Sequence, residues 1–241
     1  MASEQVIIRH EGDVLDIVLN RPAQANYLSL EMGDAIIAAL AGIDESVKLV
    51  RLSASGDDFC GGRDSPIPTL GPKPSAETIR KVVAAPPLAL YDAIRNTPPP
   101  VIAVVRGRAT GAGCALACVC DITVCADTAT FAIPEMERDI PPTLVMTALI
   151  GRVPVKVLAH MVYSREALDA QQALAAGLVR KVVAAADLDA EAGKLVATML
   201  ANSAVTLRAV KQYLNLAPEM SGQAASSFAA TLAATALSAR F

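Results

Sequence analysis

Residues 106–116 read RGRATGAGCAL, and they follow the β-branched run VIAVV at residues 101–105. The run has the composition of a buried strand. The three glycines after it predict a tight turn that opens a helix near Cys114. The first N–H groups of a helix point outward, with the positive end of the helix dipole behind them. This stretch therefore predicts a strand, a turn and a helix whose first donors can contact a negatively charged oxygen.

A second glycine-containing turn lies about fifty residues earlier, where residues 59–64 read FCGGRD. It follows a predicted strand at residues 47–52, so it also exposes backbone N–H groups at the end of a strand. Two such donors that converge on one oxygen form an oxyanion hole. The glycines alone leave two interpretations open, a pair of ordinary tight turns and a pair of converging donors.

The rest of the chain alternates short apolar runs with helical periodicity, which predicts one large α/β domain. Strands dominate the first half and helices the second. Two prolines, Pro86 and Pro87, predict an interruption in a long helix, and residues 65–75 predict a mobile surface loop. The predicted strands cover residues 6–8, 14–19, 47–52, 101–105, 121–124 and 130–133. The predicted helices cover residues 29–43, 76–94, 154–163, 169–176 and 188–214.

The composition is apolar for a globular chain of 241 residues. Hydrophobic residues make up 53% and charged residues 19%, against roughly 25% charged in an average domain. Mean hydropathy is +0.42. Charged residues interrupt every apolar run before it reaches the ~18 residues of a membrane-spanning helix. Burial between subunits is therefore the favoured use of the apolar excess.

Charge and cysteine content exclude several classes of partner. The net charge of −3 and the pI near 5.4 offer no broad basic surface for nucleic acid. The first residues lack the basic and apolar segments of a secretory signal, so a cytoplasmic location is expected. The five cysteines are odd in number and favour reduced core thiols. Cys118 and Cys120 alone lack the further ligands that a zinc site needs.

Four short motifs in order resemble the enoyl-CoA hydratase/isomerase, or crotonase, superfamily along nearly the whole chain. Residues 59–64 resemble its F-x-x-G-x-D segment, and residues 106–116 its second glycine-rich segment. Residues 131–135, FAIPE, resemble its F-x-x-P-E segment, and residues 173–179 its A-x-x-x-G-L-V signature. The resemblance implies an α/β fold, the crotonase (ClpP-like) spiral of ββα repeats. Residues 1–186 would form the core with the CoA and acyl site, and residues 187–241 a C-terminal helical region that assembles homotrimers or homohexamers.

The same resemblance implies a site for an acyl-CoA thioester. The backbone N–H groups of Gly61 and Ala112 would hold the thioester oxygen, and Glu135 would be the catalytic carboxylate. Coenzyme A is then part of the substrate, with no separate cofactor, no metal and no membrane partner expected. The residues predicted to bind substrate are Cys60, Gly62, Arg63 and Gly111. The side chains considered for the CoA phosphates are those of Arg63 and, as weaker candidates, Arg108 and Lys211.

One departure from the family's pattern bears on the reaction. The hydratases of the family carry two catalytic glutamates twenty residues apart, and the matching positions here are Ala115 and Glu135. Hydration divides its proton transfers between two carboxyl groups, whereas moving a double bond between C3 and C2 needs one base. The pattern therefore resembles the family's isomerases more than its hydratases. Glu137 or Asp139 remains a possible replacement for the missing carboxylate.

Functions of other classes are also compatible with parts of this pattern. Other members of the superfamily are lyases or hydrolases, and the loss of one carboxylate also fits a catalytically inactive scaffold with the same fold. A dinucleotide-binding site is disfavoured, because Leu116 takes the third glycine position of that fingerprint and no acidic residue follows at the required spacing.

Overall fold

The computed structural model describes residues 4–64 and 73–239. The strands of this part are β1 (Val6–Glu11), β2 (Val14–Leu19), β3 (Leu49–Ala54), β4 (Val101–Val105), β5 (Arg108–Thr110), β6 (Ile122–Ala126), β7 (Thr130–Ala132), β8 (Leu168–Asp169) and β9 (Lys181–Val183). The α-helices are α1 (Leu30–Ala41), α2 (Ala76–Ile79), α3 (Ala85–Asn96), α4 (Ala112–Val119), α5 (Thr143–Leu149), α6 (Val155–Ser164), α7 (Ala170–Ala175), α8 (Leu188–Leu200), α9 (Ala204–Leu216) and α10 (Gly222–Ser238). Of these described helices, none is long and apolar enough to cross a membrane. The loop predicted at residues 65–75 falls largely outside the described residues.

The strands form two sheets. The larger has six strands in the order β1-β2-β3-β4-β6-β9, and the smaller has three in the order β5-β7-β8. In the large sheet β1 and β2 form an antiparallel hairpin, and every other pair is parallel. All five residues of β4 are buried, which explains the unbroken β-branched run, because a central parallel strand is covered on both faces.

From β4 to β7, successive strands along the chain belong alternately to the large sheet and to the small sheet. β4 and β6 belong to the large sheet, while β5 and β7, which follow them, belong to the small one. Single parallel bridges join Leu28 to Arg63 and Cys60 to Ala109, so the segments after β2 and β3 extend the small sheet in the same way. A helix follows each pair. The predicted spiral of ββα repeats is thereby confirmed, and the small sheet lines up the turns that end each repeat.

Helix α8 covers the outer face of the large sheet. Its residues Leu188, Ala192 and Val196 are buried in a cluster with Val14 and Ile102 from the strands. This first helix of the predicted C-terminal region thus contributes to the core of the fold. Apolar side chains of α9 and α10 stay exposed, and they include Val210, Leu214 and Leu237. A role of these two helices in oligomer formation remains a prediction.

The prediction that Pro86 and Pro87 interrupt a helix is wrong. They lie in the first turn of α3, where the missing N–H groups break few helical hydrogen bonds. The chain before them, Arg80–Ala84, is π-helical and connects α2 to α3 without a break. The widened turn accommodates the prolines because its hydrogen bonds run to a carbonyl one residue farther back than in an α-helix.

Candidate active site

The two glycine turns lie side by side. The Cys60 N–H donates to the Arg108 carbonyl at 2.9 Å, and the Thr110 N–H donates to the Cys60 carbonyl at 2.9 Å. Helix α4 begins directly against this pairing, because a Cβ on Gly113 would lie 2.1 Å from the Cys60 carbonyl oxygen. Only glycine permits that approach. The turns predicted separately from the sequence therefore form one structural unit.

A cavity of about 320 Å³ opens between these turns. Six of the predicted site residues line it together, namely Gly61, Gly62, Arg63, Gly111, Ala112 and Glu135. The other described lining residues are Tyr27, Val83, Pro87, Tyr91, Thr110, Pro134, Glu137, Arg138, Ile140, Pro141, Pro142, Leu144 and Val145. The cavity thus combines exposed backbone, two glutamates, two arginines and apolar walls, and apolar walls with a few polar groups are the usual composition of a small-molecule site.

Gly111 and Ala112 present the start of α4 to this cavity. Gly111 has φ 54° and ψ −114° and precedes the helix, and its N–H donates to the Ala132 carbonyl at 2.8 Å. A Cβ there would also lie 2.5 Å from Oε1 of Glu135. Ala112 is the first helical residue, and its N–H has no acceptor among the described residues. The structure therefore leaves the Ala112 N–H available to a ligand at the positive end of α4.

The N–H of Gly61 is not available in this way. It donates to the carbonyl of Ala25 at 2.8 Å. This hydrogen bond contradicts the prediction that Gly61 supplies the second donor, because a backbone N–H already paired in the protein is not a preorganised oxyanion donor. Gly61 contributes instead by its lack of a side chain, since a Cβ would lie 2.7 Å from the ring of Tyr27.

The hydrogen bonds between Leu28 and residues 62–64 leave the Arg63 N–H, and not that of Gly61, unpaired in the first turn. The Leu28 N–H donates to the Gly62 carbonyl, and the Asp64 N–H donates to the Leu28 carbonyl, both at 3.0 Å. Because neighbouring peptide groups of an extended segment point in opposite directions, the Arg63 N–H faces away from Leu28. It has no acceptor among the described residues. Arg63 is therefore the backbone donor of the first turn that sequence reasoning missed.

Asn26 holds the loop that carries the Ala25 carbonyl. The side chain is fully buried, and its Nδ2 donates to the carbonyls of Ser55 at 2.8 Å and Asp58 at 2.7 Å. Its Oδ1 accepts the Arg21 N–H at 2.7 Å. The sequence signal for this role is an asparagine shortly after Pro22, because asparagine is favoured in turns that need a positive φ, which Asn26 adopts here. Asn26 thereby fixes the first turn from behind.

Replacing Asn26 by alanine is expected to destabilise the fold by about 1–3 kcal/mol or more, because buried backbone groups lose their partners. Urea unfolding followed by circular dichroism measures the change. Asn26→Asp is the matched second variant: it keeps the acceptor for Arg21, but it removes the two donated bonds and places a buried carboxylate against two carbonyl oxygens, so it should also destabilise the fold. Unfolding midpoints equal to that of the wild type in both variants would contradict this role.

Glu135 is the half-buried carboxylate of the cavity. It is the first residue of a short 3-10 helix, Glu135–Arg138. Its Oε2 is buried and has no hydrogen-bond partner among the described residues. Burial raises the pKa of this carboxyl above its ordinary value, and its own backbone N–H and the charge of Arg138 act in the opposite direction. A partly desolvated carboxylate of this kind is suited to act as a base.

The alternative carboxylates occupy different places. Glu137 is exposed and lies at the rim of the same cavity. Asp139 has φ 55° and lines a separate apolar cavity with residues of α5 and α6, so it does not replace the missing carboxylate in this structure. Ala115 is fully buried in α4. Of the two carboxylates that line the cavity, only that of Glu135 is half-buried, and Glu137 is exposed.

The family model for enoyl-CoA hydratase/isomerase matches residues 9–239. The chain belongs to this family. The 2,3-dehydroadipyl-CoA hydratase of Escherichia coli is 33% identical over 91% of this chain and 85% of its own. The crystal structure of an enoyl-CoA hydratase from Mycobacterium smegmatis superposes with a TM-score of 0.90 at 33% identity, over 97% of this chain and 91% of that one. A Thermobifida fusca protein of the same fold, solved with acetoacetyl-CoA, is 28% identical with a TM-score of 0.88, over 97% and 95% of the two chains.

Three predicted binding side chains of this enoyl-CoA hydratase/isomerase family member do not reach the cavity. Cys60 is fully buried, and its Sγ donates to the Gly62 carbonyl at 3.1 Å. Arg108 forms a bidentate ion pair with Asp58. Lys211 is buried against Asp121 at 2.8 Å. The structure therefore does not support direct substrate contacts for Cys60, nor phosphate contacts for the other two, because their polar groups already have partners.

The described residues contain no candidate metal site. No cluster of three histidine, cysteine, aspartate or glutamate side chains there could hold a metal ion. Burial raises the pKa of the Cys60, Cys118 and Cys125 thiols to about 11, which keeps them protonated at neutral pH. These cysteines fill the core as expected from their apolar neighbours.

Proposed function

We propose that this enzyme interconverts 3-enoyl-CoA and 2-enoyl-CoA thioesters. The N–H groups of Ala112 and Arg63 hold the thioester oxygen, where negative charge develops as the enolate forms. Glu135 removes a proton from C2 and returns it to C4, so one carboxylate serves as base and then as acid. No net proton is gained or lost, and no water is consumed. Coenzyme A enters as part of the substrate.

One observation carries the choice of isomerisation. The position twenty residues before Glu135 holds the methyl group of Ala115, which is fully buried and can neither orient water nor accept a proton. The carboxylate of Glu135 lies beside Gly111, one residue before the Ala112 N–H. A single base next to an oxyanion donor is sufficient for a proton shuttle and insufficient for the usual division of labour in hydration.

A second candidate activity, hydration of 2-enoyl-CoA, is favoured by the position of Glu137. This exposed carboxylate lines the same cavity, where it could position water opposite Glu135. Relatives of the chain are named hydratases, among them the Escherichia coli protein described above. An inactive scaffold is the third possibility that any test must separate, and it requires no thioester binding.

Side-by-side turnover of 3-hexenoyl-CoA and 2-hexenoyl-CoA by the wild-type enzyme tests the proposal. We expect isomerisation of the 3-enoyl thioester to be at least ~100-fold more efficient than hydration, which is the low end of what one acid–base group contributes. Efficient hydration would support the second candidate, and its loss in Glu137→Gln would assign the second carboxylate. No turnover together with no binding of CoA thioesters by calorimetry would indicate a scaffold.

A further inference from the structure

The side chain of Arg63 is held inside the cavity wall. Its Nη1 donates to the Val83 carbonyl at 2.9 Å, so the guanidinium turns toward the helical segment before α3. It is half-buried, and it lies between the candidate active site and a neighbouring cavity that Leu30 and Pro86 help to line. Arg63 thus contributes two separate groups to this region, a backbone N–H and a cation.

The cation has no acidic partner in the part of the chain that the structure describes. Neighbouring arginines are paired, Arg21 with Asp64 at 2.8 Å and Arg108 with Asp58 at 2.7 Å. Within residues 4–64 and 73–239, no carboxylate lies within 4.0 Å of the Arg63 guanidinium, and residues 65–72 contain no aspartate or glutamate. A half-buried charge without a counter-charge is costly to the fold, so it indicates an anionic ligand.

Glu135 does not serve as that partner. The cation that acts on the Glu135 carboxyl is Arg138. Burial lowers the pKa of the Arg63 guanidinium, which nevertheless stays charged at any physiological pH. Four of its five N–H donors have no acceptor among the described residues, and the planar fork of the guanidinium matches a carboxylate.

The surroundings of Arg63 favour an acyl group over a nucleotide. The adjoining walls are formed by Val83, Pro87 and the ring of Tyr91, which suit a hydrocarbon chain. The guanidinium belongs to the same residue as the proposed oxyanion donor, so it lies within a short chain's reach of the thioester carbonyl. Arg138 is exposed at the rim, where a phosphate of CoA would meet solvent.

We propose that the Arg63 guanidinium binds a carboxylate at the end of the acyl chain, so that the substrates are CoA thioesters of short dicarboxylic acids. This inference rests on the proposed function in that the thioester must occupy the same cavity. It goes beyond it by assigning the acyl group a negative charge. The apolar walls would hold the methylene groups, and the guanidinium fork would hold the two carboxylate oxygens.

Binding of saturated thioesters tests the inference without any turnover. The probes are matched pairs, succinyl-CoA with butyryl-CoA, glutaryl-CoA with pentanoyl-CoA, and adipyl-CoA with hexanoyl-CoA. Isothermal titration calorimetry of the wild-type enzyme should show one or more of the acidic thioesters binding about 10–100-fold more tightly than its methyl-ended partner, the usual effect of a charged hydrogen bond. The affinity ratio within a pair is the readout, so general weakening of CoA binding does not affect it.

Variants assign the preference to one side chain. Arg63→Gln keeps the backbone N–H and should bring the ratio close to one, while Arg63→Lys should retain part of it. Arg138→Gln removes the same charge at the same cavity and should keep the ratio. Equal affinities within all pairs for the wild type, or a ratio lost in Arg138→Gln and kept in Arg63→Gln, would overturn the inference and leave the proposed function standing. Absence of binding by every thioester would overturn both.

Discussion

Glu135→Gln is expected to lower kcat for 3-enoyl-CoA isomerisation by about 10²–10⁴-fold, the contribution of a positioned acid–base group. The amide keeps the size of the side chain and its place beside Gly111, and it cannot accept the C2 proton. Affinity for saturated acyl-CoA should change little, because the carboxylate binds no part of the thioester in the ground state. Single-turnover kinetics and calorimetry measure the two quantities separately.

The pH dependence of the wild-type enzyme gives the same test independently. The base works in its ionised form, and burial favours the protonated form by raising the pKa of Glu135. Activity should therefore be lost as pH falls, with the midpoint of kcat/KM above the ordinary glutamate value of 4.5. The residual activity of Glu135→Gln should lack this acid limb.

Glu137→Gln is the matched control for both measurements. Glu137 carries the same carboxylate two residues later, is exposed, and lines the same cavity. If it only contributes charge at the rim, its substitution changes kcat far less than that of Glu135. Isomerisation that survives Glu135→Gln and fails in Glu137→Gln would move the base to Glu137 and remove the central residue of the proposed mechanism.

Much of the fold follows from local sequence patterns. The run at residues 101–105 is entirely buried as β4, and Ser29 caps α1 by accepting the Met32 N–H, as a helix predicted from residue 29 requires. The spiral itself came from a resemblance to a family, because the division of strands between two sheets depends on pairings far apart in sequence. No local pattern specifies that Cys60 pairs with Ala109.

The candidate site was predicted less completely, for a physical reason. Gly111, Ala112 and Glu135 were identified because glycine content and motif order mark them. The assignment of the first donor to Gly61 was wrong because which N–H groups stay unpaired is decided by the Ala25 and Leu28 carbonyls. A shift of one residue in an extended segment reverses the direction of each N–H. Because of the same pairing, the backbone N–H of Arg63 faces away from Leu28, while its side chain turns toward the Val83 carbonyl.

Ala112→Pro is expected to lower kcat by about 10²–10³-fold, the usual loss when one oxyanion donor is removed. Proline is tolerated at the first position of a helix, where the N–H makes no helical hydrogen bond. Ala112 occupies that position in α4, and its N–H has no acceptor among the described residues. The steric restriction that proline places on the preceding residue is eased because Gly111 has no Cβ. The substitution therefore removes a donor with little damage to the helix.

Two comparisons separate loss of the donor from loss of structure. Ala112→Gly alters the same side chain and keeps the N–H, so its kcat should fall far less than that of Ala112→Pro. The thermal midpoints of both variants and their affinity for CoA itself should stay close to those of the wild type, because free CoA lacks the acyl oxygen that the Ala112 N–H is proposed to hold. A folded Ala112→Pro enzyme with undiminished turnover would remove Ala112 from the oxyanion hole and leave the Arg63 N–H to act with another donor.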